Sequence, residues 1–349
     1  MGAEVIELPA ELSGDLWYVD NLIIITMTNM IIIVPVISFL ILIYLLLFFI
    51  AYIVDEGLKG SKRLNFLQYG RFKYEKNINA DLVIVGNSRA STSIDPAILN
   101  ERLHKHTYNL GLNGGTIELQ YHVFDLYMKN NTVLPHTILL SMDLSTMNKA
   151  HTVLTRKREL LPWSNDKSWK EFFKRYPVFS FFEKILPLWK YRKNRNYIKT
   201  GIGECLNIIH LGYGNGVLDY KDGYICLDDQ EPMYELPPVL AINTDFSLTD
   251  HFLQQCMEKK IKVILFYPPV YELYGNSELS LKVVDLITKY AQKHAIPFLD
   301  YSLKVECRNP DYFRDSWHLN KKGSAWFSQV LADDLRTLQT NATASLPIV

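Results

Sequence analysis

The sequence has no charge imbalance and few cysteines, and it lacks the motifs that would mark a common cofactor. Its 37 Lys and Arg are balanced by 37 Asp and Glu, so it does not present the basic field that nucleic-acid binding needs. It contains no CxxC pair, zinc-type His/Cys spacing, Gly-Lys-Ser/Thr phosphate loop or dinucleotide fingerprint, so we expect no metal and no other cofactor. The four cysteines lie far apart, and their spacing does not distinguish thiols from disulfides: Cys205, Cys226, Cys256 and Cys307.

One long apolar run is present, over residues 22–54. It is interrupted by little more than Asn29, Pro35 and a few Thr and Ser. At about 1.5 Å per residue the run exceeds the ~30 Å hydrocarbon core of a bilayer, whereas a first half ending at Pro35 would be too short to span it. We therefore predict one tilted, single-pass transmembrane helix that anchors the chain in a lipid bilayer, not a cleaved signal peptide.

The flanks of this helix carry opposite charge. Residues 1–21, a short N-terminal tail, contain acidic but no basic side chains, whereas the polar linker at 55–79 is basic. The positive-inside rule then places the large domain in the cytoplasm. A start at Met27 or Met30 would remove the acidic flank, so charge alone leaves the orientation open.

Beyond the linker, short apolar runs alternate with helical patterns over residues 80–340, and 341–349 form a C-terminal tail. This rhythm predicts an α/β domain with a parallel five-stranded sheet between helical layers. The predicted strands are 82–85, 107–110, 137–142, 262–266 and 296–299. The predicted helices are 97–104, 116–128, 247–259, 276–294 and 321–338.

The rhythm is lost over residues 146–243, which are crowded with Trp, Tyr, Phe, Lys and Arg. We predict a long helical, aromatic-rich insertion there. Two interpretations stay open: a lid or docking surface that forms a substrate groove, and a hydrophobic cluster that covers the sheet.

The first predicted strand leads into Gly86-Asn87-Ser88. In an open α/β sheet, ligands and catalytic groups gather at the carboxyl ends of the strands, so the Ser88 hydroxyl is a candidate nucleophile. The alternative is a turn with a capping serine.

Asp315 and His318 supply a base for that serine. Three residues apart on one turn, the carboxylate can hold the imidazole at Nδ1, which leaves Nε2 to take the Ser88 proton. The pair lies after the last strand and before the last helix, so we expect it to face the same crevice as Ser88.

A glycine-rich turn follows the second strand at 111–115. Glycine lets a backbone amide approach a tetrahedral intermediate, so we predict the Ser88 and Gly114 amides as oxyanion donors, with Gly111 as the second choice. Arg89 and Tyr267 also border the predicted crevice. Arg89 is a candidate ligand for an anionic substrate group or half of a structural ion pair. Tyr267 is a candidate substrate contact or simply the end of its strand.

These motifs resemble the SGNH (GDSL-type) hydrolase superfamily over residues 80–340. Gly86-Asn87-Ser88 stands where that family has Gly-Asp-Ser, Asn109-Leu-Gly-Leu-Asn-Gly114 matches its oxyanion-glycine block, and Asp315-x-x-His318 matches its last block. The resemblance implies a three-layer α/β/α, flavodoxin-like fold and a serine hydrolase with a Ser-His-Asp triad.

The third block departs from the family pattern. Where the family has Gly-x-Asn, this chain has Asp143-Leu-Ser145. The side-chain oxyanion donor is therefore absent, or it is replaced by Ser145 or by Asn113 from the neighbouring loop.

The anchor, the insertion and the His-Leu-Asn-x-x-Gly ending are similar to envelope-anchored members of the superfamily, such as the D-alanine transfer protein of teichoic-acid systems and alginate O-acetylation proteins. That resemblance implies a domain outside the cytoplasm, an acylated glycan or other cell-envelope polymer as substrate, and a membrane-bound O-acyltransferase as partner. We expect an esterase or O-acyltransferase acting on acyl, foremost acetyl, esters. A lipid esterase or thioesterase and a non-catalytic scaffold for the acyltransferase are the alternatives.

Overall fold

The first element of the computed structural model is α1 (Ala10–Gly60), a helix that continues through Pro35. The structure describes residues 10–61, 76–150, 152–208, 220–227 and 241–344. Within these residues α1 is the one helix that is long and apolar enough to cross a membrane, over Met30–Gly60. It extends beyond the predicted 22–54 span at both ends, into the predicted tail and linker. The rest of the linker between 62 and 75 lies outside the described residues.

The first half of the α/β domain follows in the predicted order. It consists of β1 (Leu82–Val85), α2 (Ser88–Ser93), α3 (Pro96–Leu103), β2 (Thr107–Asn109), α4 (Ile117–Asn130) and β3 (Thr137–Ser141). The Asp95 side chain caps α3 by accepting from the Ala97 amide, and Pro96 occupies the first helical position, where its missing N–H is not needed.

The insertion is built from short pieces. Its helices are α5 (Lys157–Leu160), α6 (Lys170–Arg175), α7 (Phe181–Ile185) and α8 (Arg195–Cys205), followed by the hairpin β4 (Tyr220–Lys221) and β5 (Tyr224–Ile225). 3₁₀ turns connect them at Val153–Arg156, Leu161–Trp163, Lys167–Trp169 and Trp189–Tyr191.

The second half of the domain contains α9 (Ser247–Glu258), β6 (Lys262–Tyr267), α10 (Glu272–Gly275), α11 (Glu278–Lys293), β7 (Phe298–Asp300) and α12 (Lys321–Ala344). Strands β2-β1-β3-β6-β7 form one five-stranded sheet in that order, and each neighbouring pair is parallel. The predicted α/β class and five-stranded parallel sheet are confirmed. The last strand begins later than predicted because the Ile296 amide donates to the Ala291 carbonyl at 2.9 Å and closes the preceding helix instead of joining the ladder.

Helices cover both faces of the sheet, and the side chains of each strand alternate between the two faces. In β1, Val83 and Val85 pack in one core with α4, α9 and α11. Leu82 and Ile84 pack in a second core with α2, α3 and α12. The result is the predicted three-layer α/β/α arrangement.

The aromatic side chains of the insertion belong to the first of these cores. Trp169 is fully buried, and its ring lies 4.4 Å from that of His122 on α4 and 5.7 Å from that of Phe173. Phe172, Phe173 and Phe179 are also buried. These residues therefore fit the second interpretation of the insertion, a hydrophobic cluster that covers the sheet.

The C-terminal end of α1 packs against the insertion. Val54 and Leu58 are fully buried, and a Cβ on Gly57 would lie 1.8 Å from the Gly201 carbonyl oxygen of α8. The Asp55 carboxylate accepts from Lys190 Nζ at 2.6 Å. The end of α1 is therefore part of the folded domain, whereas the sequence predicted a linker from residue 55.

Candidate active site

Ser88 is the first residue of α2, at the carboxyl end of β1. In the strand order β2-β1-β3, the chain passes from β1 to β2 on one side of it and then to β3 on the other side. The carboxyl end of β1 is therefore a topological switch point, where a crevice forms. The turn requires glycine at position 86, because a Cβ there would lie 2.6 Å from both Ala90 Cβ and Ser141 Cβ. Ser88 itself is half-buried.

Asn87 holds the turn from both sides. Its side-chain oxygen accepts from the Arg89 amide at 2.9 Å and caps α2. Its Nδ2 donates to both oxygens of Asp143 at 3.0 Å. Asp143 follows β3 and is fully buried, so this contact ties the serine turn to the neighbouring strand.

Arg89 and Tyr267 make structural contacts: the ion-pair alternative describes Arg89, and Tyr267 ends β6. A role in substrate contact stays a prediction for both. The Arg89 guanidinium is 1% exposed, lies 3.1 Å from the Asp143 carboxylate and donates to the carbonyls of Pro268 and Pro269. It sits 5.0 Å from the Tyr267 ring centre. The Tyr267 hydroxyl bonds to Ser280 at 3.0 Å, and burial raises its pKa.

The structure brings Ser88, His318 and Asp315 together from positions 230 residues apart. His318 Nε2 lies 2.8 Å from Ser88 Oγ. His318 Nδ1 lies 3.0 and 2.9 Å from the two Asp315 oxygens. A carboxylate can only accept, so this network assigns the proton to Nδ1 and leaves Nε2 as the acceptor for the serine hydroxyl.

The local chain sets the orientation of Asp315. Its Oδ1 accepts from the amides of Trp317 and His318, both at 2.8 Å. Burial by itself would raise the pKa of this carboxyl, but the hydrogen bond and charge of His318 and the two amides outweigh it and lower the pKa below its ordinary 3.8. Asp315 is therefore ionised at neutral pH, where its carboxylate accepts the hydrogen bond from His318 Nδ1.

The glycine turn lies directly over the serine turn. The Leu112 amide donates to the Gly86 carbonyl at 2.9 Å, and a Cβ on Gly111 would lie 2.4 Å from the Ser91 amide nitrogen. The Gly111 amide donates to Asn109 Oδ1 at 2.9 Å, so the second-choice oxyanion donor is already engaged, which corrects that expectation. Gly114 has φ +61° and is half-buried, and its role as a donor remains a prediction.

Arg156 was missed by sequence reasoning. A Cβ on Gly114 would lie 1.9 Å from Arg156 Nη2, so the guanidinium covers the glycine turn from the insertion. Its side chain is 29% exposed, and Nη1 is 3.8 Å from Glu159. Its Nε is buried and bonds to no other described residue. Nothing in the local sequence distinguishes Arg156 from the other basic residues of the insertion.

The replacements suggested for the third block lie at the expected ends of strands. Ser145 is half-buried, two residues beyond Asp143, and Asn113 is exposed on the glycine turn. Their roles as oxyanion donors remain predictions. Within the described ranges no group of three or more His, Cys, Asp or Glu side chains could hold a metal ion.

Together the strand order, the serine after β1, the glycine turn after β2 and the Asp-x-x-His before α12 reproduce the arrangement that the sequence motifs implied. The chain therefore has the three-layer α/β/α fold that the resemblance implied. The departures from the family's motifs are local: Asn87 replaces the acidic residue of the first block, and Asp143 stands at the third.

No protein-family model matches the chain, and no curated protein matches its sequence. Solved structures to which it is similar include a GDSL-like lipase from Bacteroides thetaiotaomicron, with 13% identity and a TM-score of 0.36 over 73% of this chain and 88% of that one. A lipase/acylhydrolase from Enterococcus faecalis has 11% identity and a TM-score of 0.34 over 73% and 95%. A family two carbohydrate esterase from Clostridium thermocellum, in complex with cellohexaose, has 7% identity and a TM-score of 0.34 over 76% and 66%. Likeness at this level carries no argument about substrate.

Proposed function

We propose that this chain is a membrane-anchored SGNH-type serine esterase or O-acyltransferase that acts on acyl, foremost acetyl, esters of a cell-envelope glycan or polymer. The observation that carries the proposal is the 2.8 Å contact of His318 Nε2 with Ser88 Oγ, with Nδ1 held by Asp315. A serine, a neutral imidazole and an orienting carboxylate in this order form the arrangement that activates a hydroxyl nucleophile.

The reaction runs in two halves. His318 Nε2 takes the Ser88 proton while Oγ attacks the ester carbonyl, and the imidazolium formed is stabilised by Asp315. Collapse of the tetrahedral intermediate breaks the ester C–O bond, and His318 returns the proton to the leaving alkoxide. Water or a sugar hydroxyl then gives its proton to His318 and attacks the acyl-serine. Collapse of this second intermediate breaks the bond between the acyl carbon and Ser88 Oγ, and His318 returns the proton to Oγ, which completes hydrolysis or transfer.

The oxyanion of each intermediate is assigned to the amides of Ser88 and Gly114. We add the Arg156 guanidinium, which covers Gly114, as a side-chain donor in place of the family's missing asparagine. Fixed donors aimed at the developing charge contribute about 10²–10³ each in rate.

The packing of the insertion favours a short acyl group over a lipid chain. The lipid-esterase alternative needs an apolar channel lined by the insertion's aromatic side chains. Trp169 is fully buried and Phe173 is 5% exposed, so these rings fill a core. In this proposal the domain lies outside the cytoplasm, where envelope polymers are found, and the basic flank of α1 opposes that orientation.

A fluorophosphonate probe tests the serine mechanism on the full chain in detergent. Wild type should be labelled, Ser88→Ala should not, and Ser247→Ala, a change of an exposed serine on α9, should be labelled like wild type. An unlabelled wild type contradicts the mechanism and favours the scaffold alternative, and a labelled Ser88→Ala variant contradicts Ser88 as the nucleophile. Turnover of acetyl-xylan and nitrophenyl acetate against a long-chain nitrophenyl ester then ranks sugar against lipid substrates.

A protease added to intact cells tests the orientation. The proposal expects the SGNH domain to be degraded from outside. A domain that stays protected until the membrane is opened contradicts the extracytoplasmic placement.

A further inference from the structure

Helix α7 presents its apolar side chains to the outside. Phe181 is 69% exposed, Phe182 57% and Trp189, just beyond the helix, 45%. Ile185 and Leu186 between them are also exposed. We call these five residues the α7 patch. Exposed apolar clusters of this kind mark interaction surfaces.

The acidic side chain of the same helix points inward. Glu183 is 4% exposed and forms ion pairs with Lys157 at 2.7 Å and Arg192 at 2.9 Å. Burial would raise the pKa of this carboxyl, but Lys157, the Ser180 amide and Arg192 lower it to about 2. The ion pairs hold α7 in an inverted orientation, with its glutamate inside and its phenylalanines outside, which suits an apolar environment rather than water.

The α7 patch is continuous with the apolar surface of α1. The Tyr44 hydroxyl donates to the Ile185 carbonyl at 2.9 Å, so α7 lies beside the middle of the apolar run. The α1 side chains around this point are exposed, for example Leu42 at 64% and Phe48 at 52%. If α1 spans the bilayer, acyl chains that contact Leu40, which is 58% exposed one turn before Tyr44 on the same face of α1, are next to α7.

Helix length places the edge of the bilayer at the same level. The apolar run 22–54 is about 50 Å long, roughly 20 Å more than the hydrocarbon core needs. Because Val54 and Leu58 are buried against the insertion, the surplus length lies at the C-terminal end of the run. The hydrocarbon region then ends near Tyr44, beside α7.

The chemistry around the patch matches the lipid interface. Phe and Trp side chains are typical of the layer between headgroups and acyl chains. Lys184, Arg192 and Lys193 are exposed around them, and the Arg192 guanidinium lies 5.1 Å from the Trp189 ring centre. Basic side chains beside interfacial aromatics attract anionic headgroups.

We infer that the α7 patch inserts into the leaflet next to α1, so that the SGNH domain is held to the membrane surface at two points. The inference rests on the membrane span included in the proposed function. With only α1 as anchor, the domain could swing about its attachment. A second contact fixes the height and tilt of the crevice that contains Ser88 above the lipid.

Bimane labels at single cysteines test this in the full chain, reconstituted in vesicles of phosphatidylcholine and phosphatidylglycerol. Cys205→Ala and Cys226→Ala provide the background, because Cys256 and Cys307 are buried. Labels are placed at Phe182 in the patch, at Leu42 in the span, and at Met257, which is 76% exposed on α9, as a matched control. Each is quenched by tail-brominated lipid or by aqueous iodide.

We expect labels at 42 and 182 to be quenched by brominated lipid and protected from iodide, with the ratio of the two several-fold higher than at 257. A lipid-like signal at 42 with a water-like signal at 182 overturns the inference and leaves the span intact. A water-like signal at 42 overturns the span itself. Protection of 182 from both quenchers in native membranes, with a water-like signal in pure lipid, identifies a protein partner and overturns the lipid assignment.

Discussion

Asp315 is a charge partner and also sets the tautomer of His318. Its Oδ1 is engaged by two backbone amides at 2.8 Å, while the imidazole Nδ1 contacts both oxygens. The two amides determine which oxygen faces the backbone. The remaining oxygen must accept from Nδ1, and Nε2 is then free of its proton and able to accept the one from Ser88.

Asp315→Asn should lower kcat by about 10²–10⁴-fold with little change in fold. The amides would hold the asparagine oxygen, so its NH₂ would face Nδ1 and force the proton onto Nε2. Nitrophenyl acetate kinetics measure the effect. An unchanged kcat would remove Asp315 from the mechanism.

The same substitution should change the acid stability of the domain. A carboxyl whose pKa is depressed in the folded state stabilises it above the ordinary value of 3.8, and this contribution is lost as pH falls through the lower folded value. Wild type should lose more stability than Asp315→Asn on acidification below pH 3.8, measured by thermal unfolding.

Arg156→Leu should lower kcat by about 10²-fold, with a smaller change in KM, if its guanidinium stabilises the oxyanion. Arg156→Lys should recover part of the loss, because a positive charge near Gly114 is retained. Arg158→Leu is the matched control, since Arg158 is an exposed neighbour, and it should match wild type. An equal loss in both leucine variants, or an effect on KM alone, contradicts the assignment.

At the scale of elements, the β1–α2 turn depends on a carboxylate that belongs to another strand. Asp143 follows β3, accepts two bonds from Asn87 and pairs with the Arg89 guanidinium at 3.1 Å. Position 87 in the turn therefore carries a neutral amide. The negative charge lies instead on Asp143, just beyond the end of the neighbouring strand β3. This cross-strand contact accounts for the departures in the first and third blocks together.

Asp143→Asn should reduce the free energy of unfolding by about 3–5 kcal/mol, because it leaves the buried Arg89 charge without its partner. Asp333→Asn is the control: its pair with Arg102 is exposed, and such pairs contribute about 1 kcal/mol or less. Urea unfolding in detergent measures both. A loss at Asp143 no larger than that at Asp333 contradicts the structural role given to the pair.

At the scale of the whole molecule, α1 belongs both to the proposed membrane span and to the domain. Its last turns pack against α8 at a crossing where Gly57 faces the Gly201 carbonyl. The insertion therefore covers one face of the sheet and also packs against the end of α1. This gives the long insertion a structural reason that is independent of the substrate.

Gly57→Ala tests this crossing. Alanine in place of glycine normally stabilises a helix by about 1 kcal/mol, but here the added Cβ would lie 1.8 Å from the Gly201 oxygen. We expect destabilisation and faster proteolysis of the insertion, whereas Gly60→Ala, one turn later on α1, should not have this effect. Equal behaviour of the two variants would show that α1 does not dock there.

The local features of this protein follow from the sequence alone. Apolar β-branched runs such as Leu82–Val85 form strands wherever both faces are covered, and Asp315 meets His318 because three residues on one turn face the same side. The apolar run 22–54 is likewise too hydrophobic to be stable as an exposed helix in water. These features depend on neighbours along the chain, so the pattern of residues is sufficient to predict them.

Only the tertiary structure decided which distant groups meet. It buried Arg89 against Asp143, engaged the Gly111 amide with Asn109, and placed Arg156 over Gly114. It also drew the end of α1 into the domain and turned Phe181 and Phe182 outward. The hydrogen bonds and contacts that determine these outcomes join residues from different elements, and no periodicity in the sequence records such pairings.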